Sequence, residues 1–192
     1  LSAGSTGSPQ AGSGQGAKIL IDCGLHQGSH YAERENFEPF KYNPKEIKAV
    51  FVTHAHVDHV GLIPKLVRDG FRGTIFSTPP TKDFAELLLL DSERILHKEA
   101  AREGRPPFYN AADVAKAMEM WEGIKYHDPV VIGNFTVELF DAGHILGSAI
   151  VRVNAEDKTI IFSGDLGNSP APILQPTERL MEADYCLIES TY

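Results

Sequence analysis

Apolar residues follow two periods along the chain. Between Lys18 and Trp121 short apolar runs alternate with stretches of helical spacing, and from Val130 onward the spacing is that of strands. Lys18-Ile-Leu-Ile-Asp22 closes on Cys23-Gly24, which predicts a buried strand ending in a turn. Asn43 before Pro44 predicts one helical turn, because asparagine caps exposed N–H groups and proline suits the first helical position. That turn feeds the apolar strand Ala49-Val-Phe-Val-Thr53. Val60, Ile63, Leu66 and Val67 then recur at helical spacing up to Gly70, with Asp58 and His59 at the start and Pro64 near the first turn. Gly73 to Ser77 reads as another strand, and Thr78-Pro79-Pro80 opens a longer helix carrying Phe84, Leu87, Leu88, Leu90 and Ile95. Glu99 to Pro107, charged and proline-containing, predicts a loop. Asn110 caps a third helix through Trp121, with Asp113 three residues on and Met118, Met120 and Trp121 as core.

Strand periodicity then covers Phe135 to Phe140, Ala149 to Val153 and Thr159 to Phe162, with Ala155-Glu-Asp157 as a hairpin turn, and a last strand spans Tyr185 to Glu189. No internal repeat is present, so strands alternating with helices predict an α/β layered domain over 18–192. Residues 1–17 are mostly Gly and Ser without periodicity, as in a loop, a linker or a cloning remnant.

With 192 residues the chain can bury roughly two-thirds of its unfolded surface, and 42% apolar with 23% charged residues is an ordinary globular composition. No apolar run approaches the roughly 20 residues of a membrane span, and no secretory leader opens the sequence, so a soluble cytoplasmic domain is expected. Cys23 and Cys186 lie far apart inside apolar runs, which predicts two buried thiols and no disulfide framework. A net charge of -8 argues against the broad basic surface that drives nonspecific nucleic-acid binding.

Chemistry concentrates at Thr53-His-Ala-His-Val-Asp-His59, where three imidazoles and a carboxylate fall within six residues at the mouth of an apolar strand. His54 and His56, alternate residues of an extended turn, can face one ion, while Asp58 and His59 at the helix start face a neighbouring one. Imidazole and carboxylate donors without a nearby thiolate favour zinc over manganese or iron. Phe140-Asp-Ala-Gly-His144 and Ile161-Phe-Ser-Gly-Asp165 repeat the form of an apolar strand, a small residue and then a ligand. Their glycines are expected to let backbone approach the ion closely. His144 would complete the first histidine set, and Asp165 could bridge both ions. His26, His30, His97 and His127 read as surface or packing residues, with the loop of His26 near enough to face the site.

The ordered set Asp22, His54-x-His56-x-Asp58-His59, His144 and Asp165 resembles the metallo-β-lactamase superfamily, which implies an αββα sandwich, present here as its N-terminal portion. Thr53 to Pro64, Ser163-Gly-Asp-Leu-Gly-Asn168 and Ile188-Glu-Ser-Thr-Tyr192 resemble its β-CASP branch, whose members include ribonuclease J and the endonuclease of the cleavage and polyadenylation specificity factor. Ala3 to Ser8 is loosely similar to that family's first glycine loop. The resemblance implies two zinc ions, one held by His54, His56 and His144, the other by Asp58 and His59, with Asp165 bridging. It implies Asp22 as a carboxylate steadying the ligand loop and Glu189 as the acidic residue that orients a proton-donating histidine. That histidine, and a last ligand for the second zinc, belong to an inserted β-CASP region and the resumed lactamase-like chain, both beyond Tyr192.

The activity implied is hydrolysis of RNA phosphodiesters, with single-stranded RNA as substrate. Paired zinc ions bring a water's pKa toward about 7, and Asp58 is the base-like group. Two ions outweigh Asp58 and Asp165 by about two charges, so the pocket would be positive inside an acidic chain. Two other readings stay open: hydrolysis of small esters, thioesters or lactams on the same site, and a metal-free scaffold of an RNA-processing complex. Oligomeric state stays open too, a homo-oligomer included.

Overall fold

Among the described residues, nine strands form two sheets, a parallel one in the order β1-β2-β3-β4 and a mixed one in the order β5-β6-β7-β8-β9. The computed structural model describes residues 16–28, 30–168 and 170–190, and of residues 30–32 the backbone only. The Gly/Ser-rich start up to residue 15, including Ala3 to Ser8, the side chain of His30, and the closing Thr191-Tyr192 lie outside the described residues.

Strand β1 (Lys18–Ile21) pairs with β2 (Ile47–Phe51), β2 with β3 (Thr74–Ser77) and β3 with β4 (Trp121–Gly123), all in parallel. Parallel pairing needs long crossovers, and helices supply them. Helix α1 (His30–Glu35) and a 3₁₀ turn at Pro44–Glu46 precede β2, α2 (Val57–Val60) and α3 (Ile63–Arg68) precede β3, and α4 (Pro79–Glu103) and α5 (Ala111–Glu119) precede β4. In the second sheet β5 (Val130–Ile132), β6 (Phe135–Asp141), β7 (Ala149–Ala155) and β8 (Lys158–Phe162) run antiparallel, and β9 (Tyr185–Leu187) joins β8 in parallel.

Three apolar layers follow from the strand alternation. Val50, Val52 and Ile75 face the helices, packing with Ile63, Leu66, Leu89, Val114 and Trp121. Ala49, Phe51 and Phe76 face the second sheet, against Val137, Leu139, Val151 and Val153. On the far side of that sheet Phe140, Ile150 and Ile161 pack with Leu166 and Leu180, which are loop residues. The observed layers are therefore helix, sheet and sheet, an α/β sandwich of the expected type, and no helical residue belongs to the outermost cluster among the described residues.

Several boundaries differ from the sequence reading. The helix after the histidine cluster is two short helices separated by Gly61-Leu62. Helix α4 continues through the expected loop to Glu103, because Glu99 to Glu103 are good helix formers. It stops at Gly104, whose φ of 66° gives the left-handed cap, just ahead of Pro106. Its buried stripe is Thr81, Ala85, Leu89 and Ala100, whereas the expected apolar positions Phe84, Leu87, Leu88, Leu90 and Ile95 are exposed. Thr81, Ala85 and Ala100 beside Leu89 let that face of the helix lie close to α2, α5 and β4. Helix α5 ends at Glu119, and Trp121 begins β4 with its indole N–H on Ser77 Oγ at 2.8 Å. Cys23 is buried as expected, but Cys186 is exposed, because β9 is an edge strand.

Candidate metal centre

Every strand that carries a candidate ligand ends at one edge of the sandwich. β1 delivers Asp22, β2 the Thr53 to His59 segment, β6 the Asp141 to His144 loop and β8 the Ser163 to Asp165 loop. Parallel strands direct their C-terminal ends to a common edge, where sites in layered α/β folds form.

His54, His56, His144 and Asp165 meet there, with one ligand atom of each lying within 4.8 Å of the others. His54 Nε2 is 3.0 Å from His56 Nδ1, and His144 Nε2 is 3.4 Å from the same atom. Asp165 Oδ2 lies 3.7 Å from His54 Nε2 and 3.6 Å from His144 Nε2. A tetrahedron with metal–nitrogen bonds of about 2.0–2.1 Å has edges of about 3.3–3.4 Å, so these spacings suit a single ion. The other oxygen of Asp165, Oδ1, is 3.3 Å from His59 Nε2, and Asp58 Oδ2 is 3.7 Å from that nitrogen. One carboxylate thus turns an oxygen toward each of two donor groups.

Tautomers follow from the bonds behind the cluster. Thr53 Oγ1 donates to Asp22 Oδ2 at 2.8 Å and so accepts from His54 Nδ1 at 3.1 Å. His59 Nδ1 donates to Asp22 Oδ2 at 2.8 Å, and the Thr53 backbone N–H donates to Asp22 Oδ1 at 2.8 Å. With Nδ1 of each ring held by these bonds, His54 and His59 turn Nε2 toward the cluster. Burial, with the neighbouring imidazoles His59, His56 and His144 adding to it, pushes the His54 pKa down to about 2, so this ring is neutral. Burial also lowers the His144 pKa, against the pull of Asp165. For His59 burial would act the same way but is outweighed by the hydrogen bond and charge of Asp22, with Asp58 and Asp165 adding, and the net shift is upward. Converging lone pairs beside carboxylates are unfavourable without a cation between them, and the donor set fits a divalent metal.

Backbone packing holds the loops. A Cβ on Gly24 would overlap the Asp58 carbonyl, so the turn after β1 lies directly against the ligand segment. Gly143 (φ 65°) and Gly164 (φ 54°) adopt the left-handed backbone and pack closely, Gly143 against Gln175 and Thr177, and Gly164 against Thr53. Ser148 Oγ accepts the backbone N–H groups of His144 and Ile145 at 3.0 and 3.2 Å. Neither Thr53 nor Ser148 belongs to the residues that sequence reasoning marks for function, and only their places at the strand ends beside the ligands could point to them.

Glu189 stands at the end of β9. Its carboxylate accepts the Leu166 N–H at 3.1 Å, its own N–H donates to Ser163 Oγ at 3.0 Å, and it lines a 240 Å³ cleft with Asp22, His59 and Asp165. His26 is exposed, its backbone paired with Asn36, and lines a separate cavity with Cys23 and Tyr42. His97 and His127 are surface residues paired with Glu93 and Glu178.

A model of the metallo-beta-lactamase superfamily domain matches residues 13–183. Ribonuclease TTHA0252 of Thermus thermophilus is 37% identical over 177 residues, which are 92% of this chain and 39% of that protein. Transcription termination factor FttA of Methanosarcina mazei is 35% identical over 185 residues, 92% of this chain and 28% of the factor. The chain therefore spans well under half the length of these relatives. Among solved structures, a Cronobacter sakazakii metallo-β-lactamase with a HARLDQ motif superposes with a TM-score of 0.50 at 20% identity, over 82% of this chain and 52% of that one, which speaks to the fold alone.

Proposed function

The chain belongs to the metallo-β-lactamase superfamily, and from that membership we propose that its protein is a dinuclear zinc-dependent hydrolase of RNA phosphodiesters, of the β-CASP type. The observation carrying this reading is the split of Asp165, with Oδ2 beside His54 and His144 and Oδ1 beside His59. Relatives matched over 92% of this chain are named a ribonuclease and a transcription termination factor, which favours RNA over small esters or lactams.

His54, His56 and His144 would hold one ion, Asp58 and His59 the other, and Asp165 both. Bound divalent ions supply Lewis acidity toward a phosphoryl oxygen and bring water's pKa toward neutrality. Asp22 holds the Nδ1 proton of His59 and thereby aims Nε2. Asp58, half exposed at the mouth, offers a proton acceptor at Oδ2. Glu189 braces the Asp165 loop through Leu166 N–H and would orient a proton-donating histidine of the β-CASP region. Two ions would render the pocket attractive to phosphate within a chain of net charge -8. No helix among the described residues is long and apolar enough to cross a membrane. The enzyme is proposed to act in the cytoplasm, on single-stranded RNA.

Full-length protein assayed on labelled RNA, on nitrocefin and on a thioester tests this directly. RNA cleavage that stops on chelation and returns with zinc is expected. Thioester or lactam turnover with intact RNA would overturn the assignment, and less than one metal per folded chain would favour a scaffold.

A further inference from the structure

The edge that carries the metal centre continues past it. Along the parallel sheet the strand ends follow in the order Asp22, the histidine cluster, Thr78-Pro79-Pro80 and Ile124-Lys125-Tyr126. The Glu189 cleft lies on the β1 side of the cluster. On the β3–β4 side is a second cavity of 320 Å³, within the lower end of the roughly 300–1,000 Å³ of small-ligand sites.

Its walls are apolar, built by Pro79, Pro80, Ile124, Leu146 and Leu174. Tyr126 also lines it, its ring held by the hydroxyl donating to Ser148 O at 2.8 Å. Ile145 and Leu146 follow His144 directly, so cavity and ligand share one loop. Thr78 and Thr81 donate to Gly147 O at 2.6 and 2.9 Å, which pins that loop to the start of α4. Two charged side chains interrupt the wall, Asp141 and the exposed Lys125. Asp141 Oδ1 accepts the Gly143 N–H at 2.8 Å, while nothing among the described residues donates to Oδ2.

Resting on the phosphodiesterase reading, we propose that this cavity receives the nucleobase beside the cleaved bond and that Asp141 Oδ2 accepts a hydrogen bond from its exocyclic amino group. Apolar walls with one fixed aromatic ring suit the face of any base, because stacking is indifferent to sequence. Selection comes from the carboxylate, which can only accept. Cytosine, adenine and guanine each offer an exocyclic amino donor, whereas uracil has none: its N3–H is flanked by two carbonyl oxygens that repel the carboxylate, and it is disfavoured. Lys125, at the rim, is placed for the phosphate attached to that nucleotide.

The test uses zinc-loaded full-length protein and RNA oligonucleotides that differ only in the bases flanking the cleavage site. At one flanking position kcat/KM is about ten-fold higher for cytosine, adenine or guanine than for uracil. Replacing that cytosine by pyrimidin-2-one, which removes only the amino group, lowers the rate to the uracil value. Asp141→Asn keeps an acceptor for the Gly143 N–H but puts a donor in place of Oδ2, and it abolishes or reverses the preference. Equal rates for all four bases at both positions, or an unchanged preference in Asp141→Asn, overturns this proposal while leaving the ribonuclease reading intact. Absence of RNA cleavage overturns both.

Discussion

Asp22 sits in the left-handed backbone region, at φ 60°, which aspartate tolerates better than most residues. From there one carboxylate receives the Thr53 N–H, the Thr53 hydroxyl and His59 Nδ1. Asp22→Asn keeps one acceptor and loses the other, so His59 loses its orienting partner. Zinc affinity at the Asp58–His59 position should fall 10- to 100-fold, with the three-histidine position changed only slightly. Chelator competition resolving two binding steps measures this, and equal weakening of both would contradict the assigned role. The two cysteines differ in kind. Burial, only partly offset by the Tyr42 contact, pushes the Cys23 pKa up from 9.0 to about 12, so the thiol stays protonated at pH 8. Folded protein should therefore be alkylated at exposed Cys186 and spared at Cys23, as peptide mass mapping would report. Because the folded pKa lies above the unfolded one, stability from this group is intact below about 9 and is lost as pH climbs from about 9 toward 12. Rapid labelling of Cys23 at pH 8 would contradict its burial.

Among the elements, the turn after β1 illustrates what a sequence can and cannot reveal. Asp22-Cys23-Gly24 announces a strand end, yet nothing local shows that Gly24 abuts the Asp58 carbonyl, a contact across 34 positions of chain. Gly24→Ala should destabilise the fold by about 3 kcal/mol, because backbone rather than a flexible side chain must shift, and it should displace Asp58. A thermal melt within a degree or two of the parent would refute that. Strands with uninterrupted apolar runs, such as Ala49 to Val52, are legible, as are the proline-led starts at Pro44 and Pro79. Helix α4 departs from its pattern at both its buried face and its end. Periodicity marks Phe84, Leu87, Leu88, Leu90 and Ile95, whereas Thr81, Ala85, Leu89 and Ala100 form the packed stripe. Trp121, an apolar residue next to Met120, suits the end of a helix or the start of a strand equally well; its pairing with Ile75 of β3 decides for strand.

At the scale of the molecule, four segments remote in sequence reach one edge because β1, β2, β6 and β8 all end there. The histidine spacing within Thr53 to His59 is readable as a metal motif on its own, and the repeated form of strand, small residue and ligand marks His144 and Asp165 as candidates, though only the packing of the sheets brings them to it. Orientation is invisible in the sequence: the division of Asp165's oxygens and the chain from His54 through Thr53 to Asp22 exist only once the sheets pack. On the proposed ribonuclease reading, a chain of net charge -8 would rely on residues outside it for a basic surface that tracks an RNA strand. Anomalous diffraction at the zinc edge, from zinc-soaked crystals of the protein, tests the central claim most directly. Two peaks are predicted, one among His54 Nε2, His56 Nδ1, His144 Nε2 and Asp165 Oδ2, the other beside His59 Nε2 and Asp165 Oδ1. A map with no peak between those side chains would contradict the account.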